Sequence, residues 1–300
     1  MIKDFGNIEC TEIVWPSLAQ KGLCLYMARL DKIHPVVSGN KIFKLYYLIK
    51  EALETKHQTL LTFGGPYSNH LVATAYACRQ NNLKSIGIVR GEKPAQLSAT
   101  LLDCRDYGME LIFVSRKDYK DEAFIREIHN EKNGQFIFVP EGGYSPAGAR
   151  GASLIMEALQ ALNPSHICTA VGTATTVAGL LLKAEPGQEC IAVPVLKNLQ
   201  DIPKRLNSLT GSSQWHNLRV WNEFHFGGYA KKNEELLHFM NRFYRETLIP
   251  LDFVYTAKLM YAVIKNIENN FFKPGSRIVC LHTGGLQGNR GLAKGTLIYD

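Results

Sequence analysis

Short runs of β-branched and aromatic residues alternate along the chain with stretches whose apolar positions recur every three or four residues. TLLTF (59–63) predicts a strand, and the helix-like SNHLVATAYACRQ follows it. SIGIVR (85–90) and ELIFVS (110–115) predict two more strands, followed by helical runs near 97–106 and near 119–132. QFIFVP (135–140) completes the series as a fourth strand. A β-α-β-α-β-α-β order within roughly 80 residues predicts a parallel sheet covered by helices.

The alternation then restarts. The pattern predicts a long helix over 146–162, a strand at HICTAV (166–171), a helix from Thr175 and a strand at CIAVPVL (190–196). Helices over 231–246 and 256–269 and a late strand at RIVCLHT (277–283) follow, and further strands fit near 10–15 and 23–28. The expectation is an α/β protein with two open, twisted, mostly parallel sheets and flanking helices. A larger domain would comprise residues 1–52 plus 142–300, with a smaller α/β domain, 53–141, inserted into it. Ligands of such sheets lie beyond the carboxyl ends of the strands, and in two-domain proteins often in the cleft.

With 46% hydrophobic and 20% charged residues, the 300-residue chain has enough apolar material for such cores, and disorder is not expected. The net charge of +7 would suit an anionic ligand, but no Lys/Arg block stands out and no basic patch carries interleaved aromatics. Neither a nucleic-acid nor a membrane partner is expected. The seven cysteines form no CxxC pair, so neither a disulfide framework nor a metal site is expected. MIKDFGNIEC lacks the apolar core of a signal peptide, and the expected location is the cytoplasm.

Five short motifs carry candidate chemistry. SGNKIFKLYYLI (38–49) predicts a turn and a helix starting near Lys41, with Lys44 on a neighbouring part of the same face. A helix start and a second lysine both favour a neutral amine at Lys41, able to attack an aldehyde; a pair of solvated lysines is the structural alternative. TFGGPYSNH (62–70) runs from a strand into a helix start and gathers Ser68, Asn69 and His70 where backbone N–H groups bind anions, or where Ser68 or Asn69 simply caps the helix. AVGTATTVAGL (170–180) runs from a buried strand into Gly172, Thr173, Ala174, Thr175 and Thr176. It lacks the Walker lysine and the GxGxxG spacing, and better fits the phosphate of a non-nucleotide cofactor. DFVYTAKLMYAV (252–263) places Tyr255 and Thr256 at a helix start, and CLHTGGLQGN (280–289) places Thr283 after a strand. His282, inside that strand, reads as a hydrogen-bonded core histidine.

In this order the motifs resemble the family of 1-aminocyclopropane-1-carboxylate (ACC) deaminases and D-cysteine desulfhydrases, from about Cys24 to Gly285. The resemblance implies the tryptophan-synthase β-subunit fold (fold type II), pyridoxal 5'-phosphate as cofactor, a site in the interdomain cleft, an amino-acid substrate and a homodimer. It assigns Lys41 as the lysine that joins the cofactor aldehyde, and Lys44 with the Gly172 to Thr176 turn as the phosphate site. It gives Asn69 to the phenolic oxygen, Ser68 to the substrate carboxylate and reacting carbon, and Tyr255 to the cofactor ring. Tyr229, in HFGGYAKKNEE, resembles the second active-site tyrosine, and PEGGYSPAGARG (140–151) the glycine loop between the domains.

Two positions separate the branches. ACC deaminases carry Glu and Leu where this chain has Thr256 and Thr283, whereas D-cysteine desulfhydrases carry a hydroxyl residue and Thr. Thr256 should face the pyridine nitrogen, and a neutral hydroxyl there leaves the ring a weaker electron sink. That suits β-elimination, where a good leaving group departs promptly. The expected reaction is therefore D-cysteine desulfhydration, with ACC deamination as the alternative and a non-catalytic PLP-binding regulator as the alternative of another class. Tyr67 stands where the family usually has Gln, and reshapes the substrate pocket.

Overall fold

A computed structural model describes residues 8–55, 57–121, 124, 127 and 136–299. Ten strands are described: β1 (Cys10–Glu12), β2 (Cys24–Ala28), β3 (Thr59–Gly64), β4 (Lys84–Arg90), β5 (Met109–Val114), β6 (Ile137–Val139), β7 (His166–Val171), β8 (Glu189–Pro194), β9 (Leu218–Val220) and β10 (Arg277–Leu281). They form a six-stranded sheet of order β1-β2-β10-β7-β8-β9 and a four-stranded sheet of order β5-β4-β3-β6. Every pairing is parallel except β1 with β2. The four strands of the smaller sheet lie in sequence between strands of the larger one.

The described helices are α1 (Pro16–Gln20), α2 (Lys41–Glu54), α3 (Asn69–Gln80), α4 (Ala99–Asp106), α5 (Pro146–Ser153), α6 (Ile155–Leu159), α7 (Thr175–Lys183), α8 (Ile202–Thr210), α9 (Glu234–Thr247) and α10 (Thr256–Glu268). The large sheet is buried on both faces, as a parallel sheet must be when helices cover it twice. In β7, β8 and β10 successive side chains alternate between two cores. Ile167, Ala192 and Val279 pack with α2 and α7, and Cys168, Ile191 and Ile278 pack with α9 and α10. All seven cysteines are free thiols. No helix among the described residues is long and apolar enough to cross a membrane.

Three helices on one face approach at backbone contact. A methyl group added at Gly151 of α5 would lie 1.9 Å from the Phe43 carbonyl oxygen of α2, and one at Gly179 of α7 would lie 2.6 Å from the Ala149 carbonyl of α5. Small residues here let α2, α5 and α7 stack, and α2 and α7 each begin at the site described below.

Several elements differ from the sequence expectation. The helix expected over 146–162 breaks at Leu154, where a tighter i→i+3 bond, Leu154 N–H to the Gly151 carbonyl at 3.1 Å, interrupts the α ladder. Helix α8 and strand β9 were not expected. Helix α8 carries its signals at the ends, a proline in the first turn and Gly211 at φ +76° as its C-cap, whereas β9 is only a three-residue edge strand. Most of the helix expected near 119–132 lies outside the described residues.

Candidate functional site

Lys41 is the first residue of α2, and its amine donates to Asn40 Oδ1 at 2.7 Å. Asn40, itself buried, donates from Nδ2 to Thr176 Oγ1 at 2.8 Å. One side chain thus ties the lysine to the start of α7. Burial pulls the Lys41 amine down to about 8, with the Asp252 carboxylate acting against it. Lys44 is buried one turn on and donates to the Gly142 carbonyl at 3.2 Å. Burial, and then the neighbouring Lys41, hold it well below the ordinary lysine range.

The 172–176 turn enters α7 through Ala174, whose φ of +67° is a left-handed conformation that an alanine adopts only under constraint. The Thr173 and Thr175 hydroxyls lie 2.9 Å apart, and the first N–H groups of α7 have no partner within the helix. Gly142 and Gly143 bring the 140–144 turn against both Thr173 and Lys44: added methyl groups would lie 2.8 Å from Thr173 Cγ2 and 3.1 Å from Lys44 Cβ. Two lysine amines, two hydroxyls and a helix start therefore surround one place; a polyanion bound there would restore charge to the amines and is held by such a set.

Ser68 caps α3, its Oγ accepting from Leu71 N–H at 3.3 Å, so the capping reading describes its placement. Asn69 Oδ1 is buried and has no hydrogen-bond partner, and Asn69 Nδ2 faces Gly285. The Asp252 carboxylate approaches the same point, its carbon 3.2 Å from where a methyl group on Gly285 would stand. Thr283 is buried, and its carbonyl accepts from Asn40 N–H at 3.3 Å. A methyl group at Gly39, whose φ is +67°, would stand 1.9 Å from that carbonyl oxygen. Tyr255 lies with its ring edge against Gly172, and the Tyr229 ring stands 6.1 Å from it at 71°. Lys41, Lys44, Asn69, the 172–176 turn, Tyr229, Tyr255, Thr256 and Thr283 thus converge on one locus.

Two of the sequence candidates are placed differently. His70 is buried, and its Nε2 pairs with Thr62 Oγ1 of β3 at 2.9 Å. Because that hydroxyl donates to the Val139 carbonyl, His70 Nε2 carries the proton and Nδ1 is left without a partner. Burial, then Lys41 and Lys44, push the imidazole down to about 3, so it is neutral, and it serves the small sheet's interior rather than a mouth. Tyr67 is 68% exposed.

Asp252 was missed from the sequence, where it reads as an ordinary loop acid. It is fully buried and takes four bonds: Oδ1 from the N–H groups of Val254 and Tyr255, Oδ2 from the N–H and the hydroxyl of Thr256, the last at 2.6 Å. Thr256 is therefore not an isolated hydroxyl; a carboxylate stands directly behind it. Its position just before a helix start was the available signal. His282 is a core histidine, bonded through Nε2 to the Pro250 carbonyl at 2.8 Å, with the bidentate Arg29–Asp31 pair beside it.

Residues 7–284 match the family of pyridoxal-phosphate-dependent enzymes. A Thermotoga maritima protein provisionally named 1-aminocyclopropane-1-carboxylate deaminase is 33% identical over 287 residues, 89% of this chain and 90% of that protein. The crystal structure of an ACC deaminase homologue superposes with a TM-score of 0.78 at 25% identity, covering 95% of this chain and 92% of the other. Threonine deaminase isoform 2 of Solanum lycopersicum shares the fold, with a TM-score of 0.66 at 17% identity over 93% of this chain and 79% of its own.

Proposed function

We propose the chemistry of this chain from one premise: it belongs to the family of pyridoxal-phosphate-dependent enzymes. The residues present fit that cofactor. A primary amine with a lowered pKa meets the need for an uncharged nucleophile toward an aldehyde, and the buried Asn69 Oδ1, with no hydrogen-bond partner in the protein, awaits a polar partner. Lys41 would hold the aldehyde, Lys44 with residues 172–176 the phosphate, Asn69 and Tyr255 the ring. The half-buried Lys41 amine tied through Asn40 to Thr176 carries this reading. Residues 1–52 with 142–300 form the cofactor domain in this reading, and 53–141 an inserted domain, with the site between them in a cytoplasmic homodimer.

The cofactor, when bound, supplies an electron sink that makes the Cα–H bond of an amino acid acidic. The chain's own residues do the rest. Lys41, largely uncharged above a pH of about 8, accepts the Cα proton. The Tyr255 phenol, held well above its ordinary pKa by burial, stays protonated and donates rather than accepts. Ser68 and Asn69 at the start of α3 take the substrate carboxylate and fix which bond is broken.

The reaction we favour is β-elimination from D-cysteine or a similar β-substituted amino acid, in which D-cysteine and water give pyruvate, ammonia and hydrogen sulfide. Thr256 and Thr283, in place of Glu and Leu, support it. ACC deamination is the second reading, favoured by the names of the Thermotoga protein and of the 25%-identical structure. A panel of D- and L-amino acids with ACC, scored for 2-oxo acid on the cofactor-loaded protein, separates them. Pyruvate with sulfide from D-cysteine is expected; 2-oxobutanoate from ACC without turnover of D-cysteine would reverse the order. Lys41→Ala should lose both cofactor linkage and turnover.

A further inference from the structure

Lys258 is among the largest fully buried side chains of the protein, and the mechanism above does not use it. It lies in the first turn of α10, three residues after Tyr255. Its amine donates to two backbone carbonyls, His225 at 2.9 Å and Gly228 at 2.7 Å. These carbonyls flank a loop that is costly to shape. Phe226, Gly227, Gly228 and Ala230 all have positive φ, at 51°, 89°, 119° and 53°. Two of the four are not glycine, so the conformation is strained and must be held from outside. Tyr229 sits inside that run, its ring 6.1 Å from Tyr255.

We propose that Lys258 is the positioning residue that seats Tyr229 over the site: its ammonium gathers the two carbonyls of the 225–231 loop and fixes the backbone that carries the tyrosine. An apolar residue would fill the same volume but leave the half-buried His225 carbonyl and the buried Gly228 carbonyl with only the N–H groups of Gly228 and Lys231 as donors, and a strained loop would relax toward solvent. Burial draws the Lys258 amine down to about 8 and the nearby Asp252 carboxylate acts against that shift, so one acid serves Thr256 and Lys258 together. The catalytic consequence rests on the role given to Tyr229 above; the seating itself does not.

The test uses the holoenzyme and three variants, Lys258→Met, Tyr229→Phe and the double variant. Hydrogen exchange of a peptide covering 224–232 should speed by about tenfold or more in Lys258→Met, while peptides from α2 and α7 keep the wild-type rate. Turnover should fall by about tenfold with KM changed less, since a misplaced group acts in the transition state. The double variant should be no slower than the worse single variant. Unchanged exchange of the loop overturns the proposal, and so do fully multiplicative losses, because a merely structural lysine would lower activity equally in either background. Should Lys258→Met not fold, Lys258→Gln keeps one donor group and should show intermediate exchange; a wild-type rate there is equally fatal. A Tyr229→Phe enzyme with full turnover would sink the role of the tyrosine in catalysis, and the exchange measurement would still decide the seating.

Discussion

Replacing Gly39 with alanine tests how closely the 38–40 turn and the 283–284 turn must meet. Two effects act at once. The residue has φ +67°, where an L side chain costs about 1–2 kcal/mol. The new methyl would also stand 1.9 Å from the Thr283 carbonyl oxygen and 2.6 Å from Gly284 N, where real contacts essentially never fall below 3.0 Å. The turns must therefore separate by about 1 Å. That opens the Asn40 N–H bond to Thr283 at 3.3 Å and strains the Gly39 N–H bond to Leu30 at 2.9 Å. At about 1 kcal/mol per hydrogen bond, the total reaches roughly 3–4 kcal/mol. Gly187 is the control: its φ is +91° but an added methyl meets nothing within 4 Å, so only the backbone effect remains. At roughly 2–4 °C per kcal/mol, the remaining difference of about 2 kcal/mol should make Gly39→Ala unfold roughly 4–8 °C below Gly187→Ala. Thermal unfolding of the two holoproteins measures the gap. Displacement of Asn40 should also misplace Lys41, so the absorbance of bound cofactor should fall in Gly39→Ala and persist in Gly187→Ala. Equal unfolding temperatures for the two variants, with intact cofactor binding in both, would refute the close approach.

Two further predictions concern protons. The Lys41 amine is drawn from 10.5 to about 8, so apoprotein should take up pyridoxal phosphate at a rate that climbs tenfold per pH unit and levels near pH 8, and Asp252→Asn should move the break lower by removing the charge that opposes the shift. By linkage, the unfolded chain holds more protons than the folded one between those values, so stability of the apoprotein rises with pH from about 8 to 10.5; a break near 10.5 in stopped-flow uptake would contradict the burial argument. His70 is held down to about 3 from 6.5, so the unfolded chain gains a proton first as the pH falls, and stability declines from pH 6.5 toward 3. His70→Gln should flatten that part of the profile in urea titrations, and an unchanged slope would mean that the imidazole is solvated.

The periodicity of the chain was enough to predict the strands of both sheets except β9, because buried parallel strands leave continuous apolar runs that turn residues interrupt. The helix starts at Lys41 and Asn69 and the glycine-threonine turn were legible for a related reason: a helix start writes its backbone needs into glycine, serine, threonine and asparagine. Asp252 and Lys258 were not legible. An acid and a lysine six residues apart look like surface charges, and only the fold makes them buried, the acid by offering it four donors around one helix start and the lysine by offering it two carbonyls of a loop some thirty residues earlier. His70 went the other way. Its neighbours Ser68 and Asn69 suggested a mouth, but the helical rotation of α3 turns the imidazole into the sheet onto Thr62. Local sequence determines which elements form and where their ends fall, since that depends on near neighbours along the chain. Which charged group is desolvated, and by whom it is met, depends on the other elements packed around it, and that was decided only when the chain closed on itself.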